Sequence, residues 1–591
     1  MLCQALLALS PCLGAETIPA PSPAKGSIVV TSVVDYGAVP NDSKDDTAAV
    51  TAAINACANS DTKTLYFPGG KFNLAALNFP VAVNVVIADG ALLEIPNEAT
   101  ITFNGPFTAG LYRIFSDSGR VLFGNGAISE VYPQWWGAST AGDASPAINK
   151  AINSSLFEKT GIPGINVRLS GTFNCQTTIR VNRDRVNLHG DGMYATQLIF
   201  NPATPLPLIE IKKTDKSVAY QCTIRDMALY GAGKRGDATR IQKTGIRMVD
   251  TSITEIRNIA MLNWGGNQSI GLQIQGREAG FIENVCLGAD LPISIEKNPN
   301  CDWISIDHFT FRNTYLMTTD KNAANVTIAS GIALTNVVFE GTNAWVHGKY
   351  GLYWHDTESK GVSANLSVKN VRMEGGTAPG GEIIHISHNY GLQNLVLENI
   401  YGCAGGVGGI YLRKCVSVTL QNIFYTTGTP AAAALDIDES SSNIVLINAF
   451  WNAGVIKTGK LIKTFGTNSN PSKRDNRLIE VYDKPNNPQG EGMVLYGTNT
   501  WCYSGELADG AALSLPGGKV ATVTVSVSDG AAVNESGCFM IGAGGTVVKK
   551  VSGTDSVAAT STAGKLCLVP GMQLINQLGA KVDVVITIFW R

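Results

Sequence analysis

Through the middle of this 591-residue chain an asparagine, or an aspartate or histidine in its place, recurs just before a short alternating apolar stretch. The marks are Asp226, Asn258, Asn284, His308, Asn336, Asn370, Asn399, Asn422 and Asn448. Their intervals of 32, 26, 24, 28, 34, 29, 23 and 26 residues average about 28, a repeat length of solenoids, in which each unit buries its apolar face only against its neighbours. Positions one and three after a mark are mostly apolar: Met227 and Leu229, Ile259 and Met261, Val285 and Leu287, Phe309 and Phe311, Val337 and Phe339, Val371 and Met373. A strand alternates its side chains between faces, so these point inward and positions two and four point out. Coils stacked at ~4.8 Å turn each outward position into a column along the molecule.

The column at position four contains Arg312, Glu340 and Glu374. Glu340 and Glu374 are therefore expected on adjacent coils, about one strand spacing apart and near the roughly 5–5.5 Å separation of the carboxyl groups in retaining glycosidases. Arg312 and Arg372 would surround the pair and hold a sugar or its carboxylate. The competing reading is an ordinary ladder of cross-strand charges, and guanidinium groups beside a carboxylate oppose a general-acid role. The longest interval, Asn336 to Asn370, holds Trp345, Lys349, Tyr353, Trp354, His355 and Asp356. Such a long loop is expected to bind or to pack. These residues beside the two glutamates form the candidate substrate site, with Tyr353, Lys349 or His355 as the base if the reaction is an elimination.

Two earlier segments repeat one arrangement: Val34-Asp35-Tyr36-Gly37-Ala38 followed by Asp45 to Cys57, and Trp136-Gly137-Ala138 followed by Asp143 to Asn153. Each reads as a Gly-Ala turn, then a short helix capped by Asp46 or Thr47 in the first copy and by Ser145 with Pro146 in the second. The run from Val33 through Ala58 to Phe72, and "EVYPQWWGA" with "VNLHGDGMYATQLIF" after it, resemble the opening of the pectate-lyase-like right-handed β-helix superfamily, which includes phage tailspike polysaccharide depolymerases. The resemblance covers roughly residues 30 to 460. It implies an all-β, right-handed parallel β-helix, a polysaccharide partner, a homotrimer and an extracellular location, on a virion tail, secreted or at a cell surface. Cleavage by a tailspike-type glycosidase, cleavage by a lyase acting on a uronate polymer, and non-catalytic glycan binding all remain open.

The reading divides the chain into a leader with a Pro-rich linker over 1–29, a small mixed unit over 30–130, the β-helix over 131–465, a linker over 466–480 and a β-sandwich over 481–591. The apolar run Leu2 to Ala15 resembles a secretory signal, although it lacks a basic start. No stretch approaches a membrane span. A net charge of -2 with only 16% charged residues gives no basic field for nucleic acid. The twelve cysteines are scattered singly, which excludes zinc and thiol-redox motifs and suits small apolar side chains. No metal or cofactor is expected. Gly231 to Gly236 fits G-x-G-x-x-G without a following helix and reads as a turn. His385 and His388 lie three apart on a strand and face opposite ways, so they cannot share a metal. Trp135-Trp136 reads as a junction anchor, and Asp302 and Asp307 as solvated carboxylates.

Overall fold

The computed structural model describes residues 30–156, 164–231, 241–298, 305–359, 361–374, 381–403, 408–425, 435–437, 440–451, 477–483, 492–497, 500–515, 521–528, 535–542, 548–554, 557–563, 565–579 and 581–590. The leader, most of the 466–480 linker, most of the glycine-rich 231–236 turn and Asp302 lie outside these residues.

The expected solenoid is a right-handed parallel β-helix. From Ile165 onward the described coils pair strand to strand in parallel with the coil that follows, starting with Ile165↔Val186 and running to Phe450↔Tyr482. The small unit before it is built the same way. Thr64–Phe67 pairs in parallel with Asn84–Ile87, Gly70–Asn73 with Ala91–Glu94, and Leu77–Phe79 with Thr100–Phe103 and then Arg120–Phe123. It is a short three-faced solenoid with helix α1 (Thr47–Ala58) packed on it, and helix α2 (Ser145–Ile152) precedes the longer one. The expected caps are displaced by one or two residues. Asp45 accepts the Thr47 amide at 2.9 Å and Asp143 that of Ser145 at 3.0 Å, while Asp46 accepts amides from Val39 and Asn73 instead.

Two left-handed bends, five residues apart, shape each coil of the long helix from Gln221 to Asn448. Positive φ occurs at 221 and 226, 253 and 258, 279 and 284, 308 and 313, 365 and 370, 394 and 399, 417 and 422, and 443 and 448, and Asn336 with Gly341 completes the set. Asparagine suits these bends because it tolerates positive φ and its amide can bond the coil below. In one ladder Asn365 donates to Asn336 at 2.7 Å and Asn394 to Asn365 at 3.0 Å. In the other, Asn258 donates to Asp226, Asn399 to Asn370 and Asn422 to Asn399, each at 2.7 Å. The nine marks in the sequence therefore belong to two ladders. The step from Asn284 is 29 residues to Asn313, and that from Asn336 is 29 to Asn365. The apparent 24 and 34 arise from crossing between ladders, 29 - 5 and 29 + 5, and no coil carries an unusually long loop there.

The inward assignment holds on both ladders. Met227, Leu229, Ile259, Met261, Val285, Leu287, Phe309, Phe311, Val337, Phe339, Val371 and Met373 are all buried. Phe311 and Phe339 stack with centroids 4.4 Å apart, at the van der Waals distance that the coil spacing imposes. Cys57, Cys175, Cys222, Cys415 and Cys567 are buried free thiols, and burial pushes the Cys222 thiol up to about 11.

At the far end Arg477–Asp483 pairs in parallel with the last coil and antiparallel with Gly492–Gly497. An antiparallel sheet follows, in which Val582–Trp590 lies between Thr500–Leu507 and Ala521–Ser528. A second sheet of Ala512–Ser514, Gln573–Asn576, Leu566–Val569 and Val557–Ala558 completes the C-terminal β-structure.

Candidate functional site

Strand register decides which outward side chains meet. Arg312 pairs with Glu340, and Phe339 pairs with Val368, so Lys369 rather than Glu374 stands next to Glu340. Glu374 pairs with Val346 on one side and Cys403 on the other. The expected adjacency of Glu340 and Glu374 is therefore corrected: they belong to different columns, because one was counted from each ladder. Glu340 sits in a column of alternating charge, with Arg312 Nε donating to it at 2.9 Å, Glu283 within 3.6 Å of Arg312, and Lys369 3.1 Å from Glu398. This is the ordinary cross-strand charge ladder. Glu374 is paired with Arg372 at 2.5 Å, and Arg372 lies over the Tyr401 ring at 5.9 Å.

The 345–356 segment divides between the lumen and the surface. Trp345 and Trp354 are fully buried in the core and present no face to a ligand. Asp356 is also buried, tying down a corner: it accepts amides from Gly331 at 2.7 Å, Asn389 at 3.0 Å and Ser359 at 3.1 Å. Desolvation alone would raise its carboxyl, but those amides outweigh it and hold the group at about 2. His388 lies beside it, also buried. Its Nδ1 accepts the amides of Tyr390 at 3.1 Å and Gly391 at 2.8 Å, which leaves the proton on Nε2, 2.9 Å from Ser363 Oγ. The 3.6 Å approach of His388 Nδ1 to Asp356 is consequently not an ion pair.

Lys349, Tyr353 and His355 come together on the outer side of a third face, built from Ala324–Ile328, Tyr350–His355, Glu382–Ser387 and Gly408–Arg413. Tyr353, His385 and Tyr411 occupy one column on successive coils. Their rings stack, with centroids 4.8 Å apart between Tyr353 and His385 and 4.3 Å between His385 and Tyr411, the latter pair tilted by only 3°. Rings stacked on one another cover each other's faces. Such a column offers a ligand its ring edges, the phenol oxygens and imidazole nitrogens, and is suited to hydrogen bonding and proton transfer more than to stacking on a sugar.

Local backbone explains the remaining members. Two consecutive inward residues, Gly351-Leu352 and Ile383-Ile384, form a corner in each coil. A Cβ on Gly351 would lie 2.5 Å from the Ile383 carbonyl and 2.8 Å from the Trp345 ring, so only glycine lets the coils close there. The corner returns Glu382 and His385 to the same side although they are three apart. Glu382 Oε2 is 3.2 Å from His385 Nδ1, and His385 Nε2 is 3.5 Å from His355 Nδ1. Tyr350 packs 4.5 Å from Tyr353, Lys349 Nζ stands 5.3 Å from the Tyr350 centroid, and the Arg413 guanidinium lies 3.9 Å over Tyr411. Burial, then Tyr350 and Glu382, push the Tyr353 phenol up, so it keeps its proton at neutral pH.

Glu382, His385, Tyr411 and Arg413 were not among the expected site residues. The signal for them is present: Leu352-Tyr353-Trp354-His355, Ile384-His385-Ile386-Ser387 and Ile410-Tyr411-Leu412-Arg413 alternate alike and align by their aliphatic positions. His385 faces out and His388 in, as their spacing requires. Among the described residues no three His, Cys, Asp or Glu side chains cluster as metal ligands, and no helix is long and apolar enough to cross a membrane.

Residues 30–77 match the family model described as Rhamnogalacturonase A/epimerase, pectate lyase-like. The matched stretch contains α1 and ends far along the chain from Tyr353. No curated protein matches the sequence significantly. Among solved structures, the ORF18 protein of Geobacillus virus E2 is 12% identical, aligns over 74% of this chain and 82% of its own, and gives a TM-score of 0.35. The Dettilon tailspike protein is 11% identical over 95% of this chain and 94% of its own, with a TM-score of 0.31. DFA-IIIase from Arthrobacter chlorophenolicus A6 is 9% identical over 59% of this chain and 94% of its own, with a TM-score of 0.41. Likeness at this level carries no statement about chemistry.

Proposed function

We propose that the protein is an extracellular polysaccharide-degrading β-helix that cuts a uronate-containing glycan by β-elimination at the Tyr353–His385–Tyr411 column. The observation that carries the reading is the Glu382–His385 contact within that column. A carboxylate at Nδ1 fixes the imidazole tautomer and leaves Nε2 to accept a proton. In this reading His385 removes the proton on the carbon next to the uronate carboxylate, whose charge Lys349 and Arg413 offset. The electron pair forms the new C=C bond as the bond to the glycosidic oxygen breaks, and protonated Tyr353 supplies the proton to that oxygen. Water is not consumed. Hydrolysis by a Glu340–Glu374 pair loses its geometric basis once the two glutamates fall in separate columns.

The test is a panel of uronate polymers with product mass and ultraviolet absorbance recorded together. Elimination gives products without added water that absorb as unsaturated uronates, and His385→Gln lowers the rate by about 10²–10⁴ while the thermal midpoint holds. Products carrying one added water, or full activity in His385→Gln, overturn the reading. A second reading, adhesive glycan binding without cleavage, is favoured by Tyr315, Tyr401 and Phe424, which are exposed on another face with Arg372 over Tyr401. Binding with no product from any polymer supports that alternative. The homotrimer belongs to the same proposal, and solution mass by light scattering at three times the chain mass of 62.4 kDa checks it.

A further inference from the structure

His385 and His388 cannot share an ion, but the coil register gives His385 a different histidine. His385 pairs with Tyr353 and Ser387 with His355, so the imidazoles of His355 and His385 are diagonal neighbours on adjacent coils. His385 Nε2 faces His355 Nδ1 at 3.5 Å. That separation is longer than the roughly 2.7–3.2 Å of a sound hydrogen bond from an N–H group. It suits two ligands of one ion. At the ~2.0–2.1 Å usual between an imidazole nitrogen and Zn²⁺, nitrogens 3.5 Å apart subtend about 115–120°, near the tetrahedral angle.

The surroundings prepare one nitrogen and leave the other adjustable. His385 is clamped between Tyr353 and Tyr411, with ring centroids 4.8 and 4.3 Å away, while His355 is exposed and free to turn toward a shared point. Glu382 Oε2, 3.2 Å from His385 Nδ1, holds the proton on that nitrogen and leaves the Nε2 lone pair for an ion, the usual outer support of a metal-binding histidine. Lys349 and Arg413 stand over Tyr350 and Tyr411, so the neighbourhood has no surplus of negative charge to attract a cation. Selection therefore comes from the imidazoles, which suit Zn²⁺ and Ni²⁺, and excludes the oxygen-seeking Ca²⁺ and Mg²⁺. We infer that His355 and His385 form a site for one divalent transition ion, bound by two ring nitrogens with Glu382 behind them. No third His, Cys, Asp or Glu converges there among the described residues, so water or a sugar oxygen takes the other positions. Where His385 is the base, such an ion occupies the nitrogen that takes the proton and stops cleavage. This last consequence alone rests on the elimination reading.

The experiment reads binding and cleavage separately. The full chain is stripped of metal with a chelator and titrated by calorimetry with Ni²⁺, Zn²⁺, Mn²⁺ and Ca²⁺. One site per chain takes Ni²⁺ and Zn²⁺ at least about tenfold more tightly than Mn²⁺, and Ca²⁺ displaces neither. His355→Ala, a change at an exposed position, weakens Zn²⁺ binding at least about tenfold while the metal-free thermal midpoint holds, and Glu382→Gln weakens it by about 10–100-fold. Zn²⁺ stops cleavage by the native protein and a chelator restores it. In His355→Ala the inhibiting concentration, measured against that variant's own rate, rises by the same factor as the affinity falls. Equal Zn²⁺ affinity in the native protein, His355→Ala and His385→Gln overturns the inference, as does displacement of Zn²⁺ by Ca²⁺. Zn²⁺ bound through His355 without any loss of cleavage keeps the ion site and removes His385 as the base. Cleavage that depends on His385, with no Zn²⁺ site that depends on His355, does the reverse.

Discussion

His385 and His388 are three residues apart and have opposite physical situations. The first is outward with a carboxylate on Nδ1; the second is buried with two backbone amides on Nδ1. Burial, which outweighs the opposing charge of Asp356, pushes the His388 pKa below its ordinary value of about 6.5. A group whose folded pKa is depressed gives stability that is complete above the unfolded value and is lost as pH falls through the folded one. For His388 that loss begins as pH drops below about 6.5, and for Asp356 it runs from about 4 down to about 2. Unfolding free energy by urea titration should therefore fall between pH 7 and pH 5. His388→Asn keeps an acceptor for the Tyr390 and Gly391 amides but cannot titrate. It should be less stable at pH 7, by about 1–3 kcal/mol, yet nearly flat between the two pH values. A native-like slope in that variant would place the titrating group elsewhere.

One coil's bends contain the reason that the core was legible in the sequence and the site only in part. Between the two ladders run four residues, in, out, in, out, and the left-handed residue then resets the alternation. The first residue after either ladder points inward, except after Gly341, where Thr342 is exposed and Asn343 turns in, so counting from the wrong ladder still names the right core residues. It does not name the right neighbours, and an error of five residues moved Glu374 beside Glu340. The pairs Asn365 with Asn370, Asn394 with Asn399 and Asn443 with Asn448 mark both ladders, but Gly341 and Ser417 interrupt the pattern where it was needed. Trp345 and Trp354 were unreadable for a related reason: aromatic content looks the same whether a strand turns it in or out, and only register decides. The bends themselves give a test. Asn365→Gly keeps the positive φ and loses the amide ladder, whereas Asn365→Ala loses both. The alanine variant should be less stable than the glycine variant by about 1 kcal/mol in urea unfolding, the cost of left-handed backbone for a residue with a Cβ. Equal stability would assign the whole effect to the side-chain amides.

At the scale of the molecule a solenoid has two exposed ends, and open sheet edges invite association with other chains. The long helix meets C-terminal β-structure at one end through Arg477–Asp483, and at the other it meets the short N-terminal solenoid. The sequence marks that second joint by Trp135-Trp136, and the structure buries both rings there, against aromatic side chains of the N-terminal solenoid. Trp135 Nε1 donates to the Gly110 carbonyl at 2.9 Å, and its ring lies 5.2 Å from Phe107 and 5.8 Å from Phe123. Trp136 packs 5.1 Å from Phe115, and backbone bonds from Ile114 to the Trp135 carbonyl and from Val131 to the Asn166 carbonyl cross the same joint. In a chain whose coils touch only their neighbours, cooperativity depends on each such interface being strong. Trp135→Ala should cost about 3–5 kcal/mol at this joint, with little direct effect on coils remote from it. Calorimetry of the native protein should show the N-terminal solenoid and the adjoining coils melting together. In Trp135→Ala a separate, lower transition should appear, and hydrogen exchange should assign it to residues 30–130, the unit on the far side of the joint. A single transition merely shifted downward would mean that the backbone bonds alone couple the two solenoids.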